Sequence, residues 1–81
     1  MYTETIELDG VVYTVNVIGM DDGLQALNED GGIDMAALVR LAVQINGRKP
    51  ERNEIPFKHF APLSKIVMQL NGIGGGDEGN G

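Results

Sequence analysis

The sequence predicts an α+β domain, in which an N-terminal β-hairpin packs its apolar face against two or three short α-helices. Three observations predict it. The run TETIELDGVVYTVNV is rich in β-formers on either side of Asp9-Gly10. Met35, Leu38, Ala42 and Ile45 recur at helical spacing behind Asp34. Phe60, Leu63, Ile66, Val67 and Leu70 form a second helical stripe. Residues 1–72 read as one small domain. Residues 73–81 read as a flexible, disordered Gly-rich tail, because six of the last ten residues are glycine.

In the hairpin, Asp9-Gly10 suits a type I′ turn, because both central residues of that turn need positive φ. A two-residue loop there sets Leu8 opposite Val11, Ile6 opposite Tyr13, Glu4 opposite Val15 and Tyr2 opposite Val17. That register gathers Tyr2, Ile6, Leu8, Val11, Tyr13, Val15 and Val17 on one face. The other face is polar apart from Val12. A slip by one residue would scramble the division, so turn and register support each other.

The segment IGMDDGLQALNEDGG reads as a short helix capped by Asp21 or Asp22, carried through Leu24 and Leu27 and stopped at Gly31-Gly32. Asp34 then caps a second helix that runs through Ile45, with Asn46-Gly47 as a left-handed C-terminal cap and Pro50 barring continuation. Pro62 either starts the main helix or kinks one begun near Pro56, and the first is preferred: a short turn at 56–60 followed by a helix at 62–71. The segments LVRLAVQING (38–47) and LSKIVMQLNG (63–72) align without gaps. Two helices that end with the same apolar and capping logic account for the echo.

An 81-residue chain without cysteine has neither disulfides nor thiolate metal sites to reinforce a small core. Self-association is the expected substitute. No stretch approaches the ~20 apolar residues of a membrane span, and no basic-plus-apolar leader opens the sequence, so neither a membrane nor processing is expected.

The net charge of −6 is unevenly distributed. Residues 1–39 hold eight acids and no base, whereas all six bases (Arg40, Arg48, Lys49, Arg52, Lys58, Lys65) lie between 40 and 65. Either the basic middle packs near the acidic half, or the asymmetry steers an acidic partner. Nucleic acid is not an expected partner of a chain with pI 4.4.

No arrangement for catalysis emerges, and the chain reads as a non-enzyme. His59 is the sole histidine, and Ser64, five residues on, is badly placed to be its nucleophile. It reads as a helix-surface or loop residue. The acids of NEDGGID lack the ligand spacing of a calcium loop, and Asp34 is better used as a cap. The terminal glycines follow a helix and open none, unlike a phosphate cradle. No metal or cofactor is expected. The candidate binding residues are therefore surface ones: Phe57 and Phe60, with Met68 one face over, beside the basic loop of Arg48, Lys49 and Arg52. The alternative is that both Phe residues complete the core.

The order TIELDGVVYTVNVIGMDD, DMAALVRLAVQING, PFKHFAPLSKIVMQLNG resembles the small tail assembly chaperones of tailed bacteriophages, over nearly the whole chain. The resemblance is one of order and pattern, without a diagnostic signature. It implies a protein that coats the tape measure protein in the cytoplasm of the infected cell and helps recruit tail tube subunits. It also implies that the Gly-rich end is that of a short form, extended by programmed frameshift into a longer one near Gly74–Gly76. A virion component (decoration, connector or head–tail completion protein) and a small acidic inhibitor or regulator are the competing readings.

Overall fold

The computed structural model describes residues 3–73. β1 (Thr3–Leu8) and β2 (Val11–Asn16) form the expected hairpin, with Leu8 opposite Val11, Ile6 opposite Tyr13 and Glu4 opposite Val15. Asp9 and Gly10 have φ of 52° and 82°, the two positive values of a type I′ turn. The expected Tyr2–Val17 pair lies outside the described residues. Tyr13 and Val15 are fully buried, and Ile6, Leu8 and Val11 pack partly buried against the same core. Val17, expected on that face, is exposed, because β2 ends at Asn16 and the chain turns away.

A third strand corrects the expected layout. α2 (Met35–Ala42) stops three residues short of Ile45, and Val43–Ile45 forms β3, antiparallel to β2. The sheet order is β1-β2-β3. Val43 sits opposite Val15 and Ile45 opposite Tyr13, so two apolar pairs close over the core. Asn46-Gly47, with φ of 53° and 76°, is consequently a second tight hairpin turn and not a helix cap. Ile45 and Arg48 exchange both backbone hydrogen bonds across it, at 2.9 and 3.1 Å.

The first helix also differs from expectation. α1 (Met20–Gly23) starts after Gly19 with no side-chain cap, and Asp21 and Asp22 lie inside its first turn, where the helix dipole favours them. A 3₁₀ turn at Leu24–Ala26 follows, and Leu27 is already extended, bridged to Ile33. Asp34 caps α2 as expected, accepting from the Ala37 N–H at 3.2 Å. A 3₁₀ turn at Phe57–His59 runs without a break into α3 (Phe60–Asn71), so this helix begins two residues earlier than expected. Pro62 is thus the third helical residue, where its missing N–H has no intrahelical acceptor to lose. Gly72, with φ of 69°, ends α3, and the Ile73 N–H closes the cap on the Met68 carbonyl at 2.8 Å. Of the expected tail, residues 74–81 lie outside the described residues.

Helix α3 packs on β1 and β2, and α2 packs on α3, which gives two layers with Tyr13, Val15, Val43, Leu63 and Val67 fully buried between them. Among the described residues no helix is long and apolar enough to cross a membrane.

Candidate functional site

His59 is buried, at 3% exposure, which corrects its reading as a surface or loop residue. The 3₁₀ turn carries it under the hairpin. Its Nδ1 lies 2.6 Å from the Tyr13 hydroxyl and its Nε2 lies 2.9 Å from Asp9 Oδ2. One neutral tautomer satisfies both contacts: Nε2–H donates to Asp9, and Nδ1 accepts from Tyr13 O–H. The Tyr13 and His59 rings meet edge-on, 86° apart. Asp9 also receives the Lys58 ammonium at 2.8 Å, and these two donors hold its carboxyl at about 2, below its ordinary 3.8. Burial, and then the negative charges of Asp9 and Glu54, push the Tyr13 phenol above its ordinary value.

Both nitrogens of His59 are therefore occupied within the fold. The imidazole ties the start of α3 to the Asp9-Gly10 turn and leaves no ring nitrogen aimed at solvent. Ser64 is also buried, on α3, and its Oγ has no hydrogen-bond partner among the described residues. His59 and Ser64 share no hydrogen bond, in keeping with the spacing in the sequence. Two of the three NEDGGID acids serve the backbone: Asp30 accepts from the Gly32 N–H at 2.8 Å, and Asp34 caps α2.

The nominated surface residues separate into three groups. Phe57 and Phe60 come together, their rings stacked at 6.0 Å between centroids and 6° between planes. Phe57 is 89% exposed, so the alternative in which both rings complete the core does not hold for it; Phe60 is half-buried. With Ala36, Val39, Arg40, Asn53, Ile55 and Pro56 the pair lines an open hollow of about 170 Å³.

Arg48 and Lys49 lie away from that hollow. Arg48 makes a bidentate pair with Glu54, at 2.6 and 2.8 Å, and Glu54 also accepts from the Glu51 N–H. The guanidinium holds the Glu54 carboxyl at about 2. Arg48 thus braces its own loop. Lys49 faces a neighbouring hollow of about 270 Å³ together with Arg40 and Leu41. Arg52 is exposed and Met68 half-buried, and neither lines the aromatic hollow. Packing of the basic middle against the acidic half is realised at one point among the described residues, Lys58 and His59 on Asp9.

Sequence reasoning missed Asp9 and Tyr13 as partners of His59, because 50 and 46 residues separate them and no local pattern links such positions. It also missed Arg40, the base that lines both hollows. Its place on the exposed face of α2 was readable from helical spacing, but its neighbours were not. Compared with family models, with curated proteins and with solved structures, the chain matches none.

Proposed function

We propose that this chain is a non-enzymatic protein-binding module that acts as a tail assembly chaperone of a tailed bacteriophage. In this reading it holds the tape measure protein and helps recruit tail tube subunits in the infected cytoplasm. The observation that carries the binding half is Phe57. A large aromatic ring 89% exposed and stacked on Phe60 offers apolar area that a partner can bury. Arg40, on the rim of the same hollow, adds the other residue type that recurs at the centre of binding sites. The chaperone half is supported by the order of hairpin, aspartate-capped helix and apolar C-terminal helix that the sequence shares with such proteins.

The test has two parts. Antibodies against residues 1–72 are used on infected-cell lysate and on purified particles, and the tagged chain is co-expressed with the phage tail proteins. The expected result is a lysate signal with a second, longer band, no signal in particles, and recovery of tape measure protein that falls about tenfold or more in Phe57→Ser. A single band kept at high copy in particles would make the chain a virion component. Capture of a host protein with no tail proteins present would make it a regulator.

A further inference from the structure

A second surface lies at the other end of α3, about 16 Å from Phe60 by helical rise, and it differs in character. There Met20 is 77% exposed and Leu24 55%, and Leu27 and Ile33 are exposed beside them. With Leu38 and Ile73 they line an open groove of about 250 Å³ that no charged side chain enters. Single exposed aliphatic residues are ordinary on any protein, but four side by side around one groove are not.

The groove is set before any partner arrives. The Ile18 N–H donates to Asn71 Oδ1 at 2.7 Å, which fastens the approach to α1 onto the end of α3. Asn71 Nδ2 in turn donates to the Val67 carbonyl at 2.9 Å. The Gly72 cap fixes the backbone that delivers Ile73. The Leu27–Ile33 bridge holds the remaining wall.

Charge determines what can cover it. Residues 18–38, which supply most of the lining, carry five acids and no base. Asp30 and Asp34 each accept from a backbone N–H. Among the described residues, Asp21, Asp22 and Glu29 make no ion pair or hydrogen bond through their side chains and stay exposed in water. A partner that fills the groove must therefore bring apolar side chains for its floor and positive charge for its surroundings. A second copy presenting the same surface would set acid against acid, which disfavours a symmetric dimer here. Among the described residues the edges of the sheet are β1 and β3, neither of which lines the groove, and the Leu27–Ile33 pair in its wall is a single bridge, too short a ladder for a partner strand to extend. The partner's backbone has to satisfy its own hydrogen bonds, as a helix does.

We infer that the groove between α1, the Leu27–Ile33 bridge and the end of α3 is a docking site for an amphipathic helix whose apolar face is flanked by Lys or Arg. This site is separate from the Phe57 hollow and goes beyond the reading above.

The test is fluorescence anisotropy on the full 81-residue chain. The probe is a fluorescein-labelled synthetic helical peptide with Leu at i, i+3, i+4 and i+7 and Lys at the flanking positions. Its control carries Glu in place of each Lys. The Lys peptide is expected to bind at least about tenfold tighter than the Glu peptide. The double variant Met20→Ser, Leu24→Ser alters exposed side chains only, so its circular dichroism and melting should be unchanged while its affinity falls at least about tenfold. Asp21→Asn, Asp22→Asn should weaken binding and flatten its dependence on salt. Equal binding of both peptides, or undiminished binding by the Met20/Leu24 variant, would overturn the proposal. So would a dimer, seen by sedimentation, that this variant dissociates, since the occupant would then be a second copy. Loss of peptide binding in Phe57→Ser alone would also remove the groove from consideration while leaving the Phe57 reading intact. Conversely, failure of tail-protein capture with groove binding intact would remove only the chaperone assignment.

Discussion

Residues 38–47 and 63–72 share Leu, Gln, Asn and Gly at matching positions, yet they fold differently. The second stays helical to Asn71 and ends on left-handed Gly72. The first is helical only to Ala42, then becomes strand β3 and turns back through Asn46-Gly47. The divergence begins where the residues differ in shape. Val43-Gln44-Ile45 has β-branched residues at its first and third positions, whereas Met68-Gln69-Leu70 has unbranched or γ-branched ones that lose little rotamer freedom in a helix. Propensity differences of a few tenths of a kcal/mol per residue do not decide this alone. The edge of β2 does. It offers Val15 and Tyr13 as cross-strand partners, and Asn16 Nδ2 donates to the Ala42 carbonyl at 3.2 Å, satisfying an acceptor that the interrupted helix leaves free. Helix α3 instead packs across the face of β1 and β2.

Truncating the first residue of each segment gives the largest expected effect. Leu63 is fully buried between the layers, so Leu63→Ala should cost about 3–5 kcal/mol. Leu38 lines the open groove, where solvent and neighbours can relax into the gap, so Leu38→Ala should cost about 2–3 kcal/mol. Urea denaturation of the two variants checks the order, and equal losses would mean that the groove side is packed as tightly as the interlayer core.

Exchanging the divergent residues tests the shape argument. Val43→Met with Ile45→Leu should lower stability by about 1–3 kcal/mol and raise hydrogen exchange at Thr14, whose N–H faces β3 opposite Gln44, because β3 loses its β-branched pairs. The reverse exchange, Met68→Val with Leu70→Ile, should leave α3 helical at a cost of about 1 kcal/mol or less. If the first exchange merely extended α2 at no cost in stability, the edge of β2 would not be what ends that helix.

The smallest effect separates the two tight turns. Asp9-Gly10 and Asn46-Gly47 have nearly the same backbone, but only Asp9 also anchors α3, through Lys58 and His59. Its folded pKa of about 2 lies below the ordinary 3.8, so the unfolded chain takes up the proton first. The resulting stabilisation is complete above about pH 4 and disappears as pH falls through about 2. Glu54, lowered from 4.5 to about 2 by Arg48, contributes in the same window and sense. Melting temperatures measured from pH 5 to pH 2 should fall less steeply in Asp9→Asn, which tolerates the left-handed turn while losing the charge. Glu54→Gln should flatten the remainder. An Asp9→Asn profile parallel to that of the parent would show that the exposed pair is fully screened.

The parts legible beforehand were those whose cause is local. Alternation about Asp9-Gly10 gave the hairpin and its register, Asp34 gave the start of α2, and the stripe from Phe60 to Leu70 gave α3. The placement of the candidate residues was partly legible: Phe57 and Phe60 do stack, with Phe57 exposed and Phe60 half-buried, but Arg48 is committed to Glu54, and Arg52 and Met68 lie elsewhere. His59 looked like a surface residue because nothing near it in sequence hints at Tyr13 or Asp9.

By itself, then, the sequence determined the first hairpin with its turn, the Asp34 cap and the stripe of α3, including an apolar hairpin face that needed a helix to cover it. Only the tertiary structure decided that Val43–Ile45 joins the sheet, that His59 is buried between a phenol and a carboxylate, and that Met20, Leu24, Leu27 and Ile33 meet around one groove. Those outcomes depend on groups far apart in the chain, whose pairing becomes favourable only once the two layers have closed and removed the competing water.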